Sequence, residues 1–337
     1  MIWPQATRLT PQRSESRCRA SGSSLKIAGF RLLVSPLALA LILASATAQP
    51  APQAAIPGLS HRVALGRTYD AILNADFDLV TTRLSPVCGD APVWCDVMSA
   101  VSLWWQIALD PDTRRHDARF ARTVEQAITA AEEWTTEEPA RAEAWFALGA
   151  AYGARAQWRV ERKQRLAAAR DGKRVRTVLE RALTLDPLLH DAHFGIGMYR
   201  YYAAVAPAAL RMFRWLFRLP GGSREAGLQQ MYDAYKKGDV IRDEAAYQLH
   251  LIYLWYENRP TDALTLIREL HQRHPRNPLF VLIEARILDV YFHDSDASKN
   301  VLRALIARAE SADVNEPALA LQRARELLNG FITRASR

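Results

Sequence analysis

The sequence predicts an all-α fold, a superhelix of stacked antiparallel helix pairs with one enlarged helical hairpin. Three observations carry this. Glycine is sparse, at 15 of 337 residues, and long stretches are rich in Ala, Leu, Arg and Glu, while alternating Val/Ile/Thr runs are nearly absent. The stretch Trp145-Phe-Ala-Leu148-Gly149-Ala-Ala-Tyr152 puts large side chains on adjoining faces of one helix and a glycine where a second helix can come close. Small residues and prolines recur in phase with it along the chain. At 49% hydrophobic the chain has ample material for a core, and stacked pairs can lengthen without dividing into separate domains.

Taken in order, residues 1–48 read as a secretory signal. Six Lys/Arg against one Glu precede a hydrophobic run from Leu32 to Leu43, then Ala46-Thr47-Ala48 offers a small-x-small cleavage pattern. The run is too short to span a bilayer of roughly 30 Å comfortably. Cleaved export is the favoured reading, with a retained anchor as the alternative. Residues 49–58 are Ala/Pro-rich and read as a flexible lead-in. A single helical-repeat domain is expected over 59–337, its first turn at Asn74-Ala-Asp-Phe-Asp78. Cys88 and Cys95 bracket a Gly/Pro turn. In an exported chain they read as a disulfide contributing roughly 2.5 kcal/mol; otherwise they are two free thiols.

The phased positions follow. One repeat before Trp145, Ala127 and Pro139 fall where a small residue and a terminating proline belong. After it, Leu179, Ala182 and Pro187 are in phase once 14 extra residues are admitted. That insertion is close to four turns, about 21 Å of helix and only about 40° of rotation, so the seam between helices continues. It predicts one long helix from about Ala140 to Arg170. The phase returns at Ala263, Ile267 and Pro275, and again at Ala297 and Ala304; Asn315 to Phe331 reads as an amphipathic closing helix.

These residues resemble the tetratricopeptide repeat (TPR) superfamily, whose signature falls here on Trp145, Leu148, Gly149, Tyr152, Ala182 and Pro187. A further block, Gly195-Ile-Gly-Met-Tyr199-Arg-Tyr-Tyr with Val205-Ala-Pro207 and Leu219 to Leu228, is similar to TPR proteins of the eukaryotic mitochondrial outer-membrane inclusion-clearance family. It is similar also to exported bacterial TPR proteins with no assigned activity. The resemblance implies a protein-binding scaffold and supplies no catalytic residues.

Charge sharpens the functional reading. Without residues 1–48 the chain keeps 38 basic and 35 acidic residues, which removes the support for a nucleic-acid partner. Gly153 to Arg181 alone holds ten Lys/Arg and three Asp/Glu. Arg155, Trp158, Arg159 and Arg162 follow helical spacing there and are candidates for docking an acidic protein or anionic lipid; a solvated hairpin is the plain alternative. Tyr199, Arg200 and Tyr202 are candidates for a concave groove, with at least two of the tyrosines at 199, 201 and 202 expected in the core. Leu210 to Leu219 carries Arg211, Arg214 and Arg218 along one stripe and fits either a membrane interface or a buried helix. Gly221-Gly222-Ser223-Arg224 reads as a turn with Ser223 as N-cap. His190/His193 and His271/His274 have helical metal spacing but no evident third ligand. The acidic Glu132, Glu133, Glu137 and Glu138 read as a solvated helix end. No cofactor, catalytic constellation or small-molecule substrate is expected. The sequence thus points to an exported envelope scaffold binding a partner in its concave groove, or, second, to a peripheral membrane-associated protein.

Overall fold

The computed structural model describes residues 54–206 and 221–335. Thirteen helices run through them: α1 (Arg62–Leu73), α2 (Phe77–Cys88), α3 (Pro92–Leu109), α4 (Asp117–Glu137), α5 (Ala142–Glu161), α6 (Arg165–Leu185), α7 (Ala192–Val205), α8 (Arg224–Lys237), α9 (Arg242–Trp255), α10 (Pro260–Arg273), α11 (Pro278–Tyr291), α12 (Ser295–Glu310) and α13 (Pro317–Ala335). Among the described residues the sole isolated bridge joins Ile56 to Arg141. Consecutive helices pack against one another, so the fold is all-α and built of helix pairs.

Local chemistry sets the turns. Within pairs, the chain reverses through a left-handed residue at Ala75, Lys163, Asn258 and His293. Between pairs, Pro139, Pro187 and Pro275 each stand just past a helix end, where the missing N–H and fixed φ stop propagation. Ser223 caps α8 by accepting from the Ala226 amide. The last pair is closed by α13, whose Ala320 and Ala324 join Val281, Leu302 and Leu305 in one buried cluster.

Two expectations change. The long helix from Ala140 to Arg170 is instead two helices, α5 and α6, which meet at the Arg162–Gln164 turn. The insertion adds about two turns to each partner of the hairpin, so both keep facing one another along the same seam. The Gly149 prediction holds: a Cβ there would stand 2.4 Å from Leu179 Cδ2. The lead-in differs too. Ile56 donates to Ala140 O and accepts from the Ala142 amide, and the Gly58 amide donates to Asp186, so residues 54–58 are stitched to the α4–α5 and α6–α7 turns. The expectations for residues 1–53 and for Leu210–Leu219 fall outside the described residues.

Helices α7 and α8 approach closely at their glycines. A Cβ on Gly227 would lie 2.6 Å from the Tyr201 amide nitrogen and 2.8 Å from Gly197 O, both backbone atoms that cannot swing away. Gly227→Ala is expected to cost roughly 2–3 kcal/mol by overpacking. A urea midpoint unchanged from wild type would show that the helices separate at no cost.

Candidate functional site

The inner face of the array, where a groove was expected, is filled by the chain itself. Trp105 of α3 lies 4.9 Å from Tyr247 of α9 and 6.4 Å from Phe280 of α11, ring centre to ring centre. From Asp243 to Leu254, twelve successive residues of α9 are buried, which marks a helix covered on every side. Polar groups cross the same interior. The Tyr69 hydroxyl donates to Glu244 at 2.9 Å, and the Gln248 amide donates to Glu244 and to Gln157. The two ends of the array are also tied: Asn277 donates to Leu73 O, Asn315 to Asn74 O, and Arg323 to Asp110 and Asp112.

Burial pushes the Glu244 carboxyl above its usual range, against the opposing donors Tyr69, Gln248 and Gln157. The folded state therefore favours the protonated form. Its stabilising effect is fully present below the unfolded carboxylate pKa, ~4.3, and is lost as pH rises through the raised folded value. Glu244→Gln, which stays neutral and keeps an acceptor for Tyr69, is expected to remove that decline. The gain at pH 8 is about 1.4 kcal/mol for each unit of upward shift. Parallel loss of stability with pH in both proteins, followed by urea unfolding, would count against a strained carboxyl here.

The residues singled out on the basic hairpin form a network inside the fold. Arg155, only 5% exposed, holds Asp171 through Nε and Nη2 at 3.0 and 2.9 Å and reaches Glu125 at 2.7 Å. Arg159 and Arg174 join the same fully buried Asp171. Arg162 grips Asp117 and also donates to Pro111 O and Thr113 O. Trp158 packs against Phe120 at 5.4 Å and points its indole N–H at Asp117. Burial raises the Asp117 carboxyl, but the Arg162 and Trp158 donors outweigh it and hold the group below the ordinary range. α4, lying beside the hairpin, supplies two of the acids, so these four side chains knit α4, α5 and α6 together.

On α7, Tyr199 sits beneath the Arg176 guanidinium, Arg200 reaches Glu180 at 3.4 Å, and Tyr202 meets Tyr201 and Tyr256 edge to face. Tyr201 is buried, its hydroxyl bonded to Glu257; Tyr202 is half-buried as a whole residue but burial pushes its hydroxyl above the ordinary range, and Tyr199 is half-buried. Of the signature residues, Gly149, Leu148, Tyr152 and Ala182 are buried, whereas Trp145 is partly exposed and donates to Pro139 O. Pro187 ends α6. The Cys88 and Cys95 sulfurs are 1.99 Å apart, with Cα atoms 5.5 Å apart.

Three surface features emerge that spacing alone does not reveal. One is an acidic cleft of about 470 Å³ between the α2–α3 turn, the end of α4 and the start of α1. Asp90, Asp96, Glu133 and Glu137 open onto it alongside the Trp134 indole. Deeper in its wall, Glu143 accepts from Ser60 and Trp94, and Glu138 from Trp134 and Arg141. Desolvation raises the Asp96 carboxyl. The acidic run on α4 was visible in the sequence; its convergence with Asp90 and Asp96, some forty residues earlier, was not. The second feature is a cationic edge at the α3–α4 and α5–α6 turns. The third joins Asp70, Asp243 and His274, whose candidate ligand atoms lie within 4.8 Å. There His274 bonds Asp243 at 2.7 Å, and Arg242 and Arg273 both contact the same carboxylate. Those guanidiniums already supply the positive charge a cation would bring, so the cluster works as an ion-pair network joining α9 and α10. Among the described residues no helix is long and apolar enough to cross a membrane. Neither known protein families nor curated proteins return a match for this chain.

Proposed function

We propose that this chain is an exported, non-catalytic member of the TPR superfamily that acts as a protein-interaction scaffold in a bacterial cell envelope. The observation that carries the reading is the acidic cleft: a concavity of about 470 Å³ onto which Asp90, Asp96, Glu133 and Glu137 open without an ion-pair partner among the described residues, with an indole on its wall. Such a site suits a basic segment of a partner, with Lys or Arg against the carboxylates and its stem over Trp134. The occupied inner face moves the expected partner contact from the groove to this outer surface. Export is supported by the signal-like residues 1–48. The adjacent Cys88–Cys95 pair supports it too, since a bond there would brace the α2–α3 turn that forms one wall of the cleft.

The test is capture from envelope extracts by the immobilised mature chain, compared with an Asp96→Asn/Glu133→Gln/Glu137→Gln variant. The variant is expected to retain its fold and lose roughly tenfold in captured partner. Identical captured proteins from both chains would sink the cleft as the binding surface. A second reading, peripheral association with an anionic surface, is favoured by the cationic edge.

A further inference from the structure

We propose that the edge formed by the α3–α4 and α5–α6 turns docks on an anionic lipid bilayer. The two turns are held at one level by Arg162, which ends α5 and donates to Pro111 O, Thr113 O and Asp117 of the neighbouring turn. Around this clamp stand exposed cations: Arg114, Arg115 and Arg119 from one turn, Lys163 and Arg165 from the other. Of the carboxylates nearby, Asp117 is engaged by Arg162 and both Asp110 and Asp112 by Arg323, while half-buried Glu161 at the end of α5 offsets one of the five cations. The surplus positive charge therefore faces outward.

Two apolar side chains share this edge. Val160, in the last turn of α5, is 64% exposed, and Leu166, in the first turn of α6, is 43% exposed. They project from a helical turn and stand apart from the acidic cleft. This suits a flat interface, where cations meet headgroup phosphates and short aliphatic groups enter the acyl boundary. It suits an acidic protein less, because Val160 and Leu166 stand exposed among the cations, apolar groups that a bilayer accepts and a highly charged protein surface does not. Nucleic acid is poorly matched, because the half-buried Trp158 indole beside the edge is packed against Phe120 and spends its N–H on Asp117. The acidic cleft lies at the other ends of α3 and α4, so a docked molecule would keep that cleft turned toward solvent.

The experiment is flotation of the full mature chain with phosphatidylglycerol-containing vesicles, and with phosphatidylcholine vesicles as the neutral arm. Binding is expected only to the anionic vesicles and should weaken with salt. Lys163→Glu/Arg165→Glu should lower partitioning at least ~25-fold, at about fivefold per cation; Leu166→Ser should lower it a few-fold. Lys236→Glu/Lys237→Glu, the same charge change on α8, should alter it little. All these sites are exposed, and unchanged circular dichroism confirms folding. Any of four results overturns the proposal: no flotation; equal binding to neutral vesicles; equal loss in the α8 variant; or loss only when Arg211, Arg214 and Arg218 are replaced. Capture of an acidic protein by the edge without vesicle binding also overturns it. The cleft variant Asp96→Asn/Glu133→Gln/Glu137→Gln should float normally, which separates this proposal from partner capture.

Discussion

Asp171→Asn is expected to destabilise the fold by about 3 kcal/mol, at the lower end of the cost of breaking a buried ion pair. Asp171 is fully buried and is the shared anion of Arg155, Arg159 and Arg174. Asparagine preserves the volume and one acceptor but removes the charge. Arg155 would then be left desolvated with Glu125 as its remaining carboxylate, on a residue that is itself exposed. Arg174, half-exposed, can turn to water, which keeps the loss from reaching the upper range. Urea unfolding of the two proteins checks the value. A change below about 0.5 kcal/mol would mean that the three arginines are redundant anchors and that apolar packing alone holds α5 to α6.

Trp105→Ala is expected to cost roughly 3–5 kcal/mol, the range for removing a buried aromatic from a core. The side chain is 1% exposed and touches helices from both halves of the chain, Tyr247 on α9 and Phe280 on α11. Its loss opens a cavity at the point where the early helices meet the late ones. The conservative variant Trp105→Phe should recover more than half of the stability, because an aromatic ring still fills most of the space. Denaturant unfolding followed by Trp fluorescence and by circular dichroism should report one transition for wild type. If Trp105→Ala left the midpoint within experimental error, the inner face would be packed far more loosely than the ring separations indicate.

The helices, the terminating prolines and the close approach at Gly149 were all legible because they are local or follow a fixed period. So was the existence of an insertion between Tyr152 and Pro187. Its division into two shorter extensions was not, because a left-handed Lys163 has no strong sequence signal. The fate of Arg155, Arg159 and Arg162 was hidden for a different reason. Arg155 and Arg162 find Glu125 and Asp117 thirty and forty-five residues earlier on α4, and Arg159 finds Asp171 twelve residues later on α6, pairings between helices that no spacing rule within one helix reaches. The filled interior was the least visible feature of all: Tyr69 finds Glu244 at a separation of 175 residues. Such pairs depend on how far each helix pair rotates relative to the last, a small angle accumulated over many pairs.

The ties from Asn74 and Leu73 to Asn277 and Asn315, and from Asp110 to Arg323, change how the chain folds. An open array of repeats, each touching only its neighbours, can nucleate anywhere and fray from either end. Here the first pair is incomplete until the last has arrived, more than two hundred residues later in synthesis. Most packing is still between consecutive helices, so these ties add a few very long-range contacts that favour an all-or-none transition with few frayed ends. For the exported scaffold proposed above, fewer frayed ends mean fewer segments open to proteases.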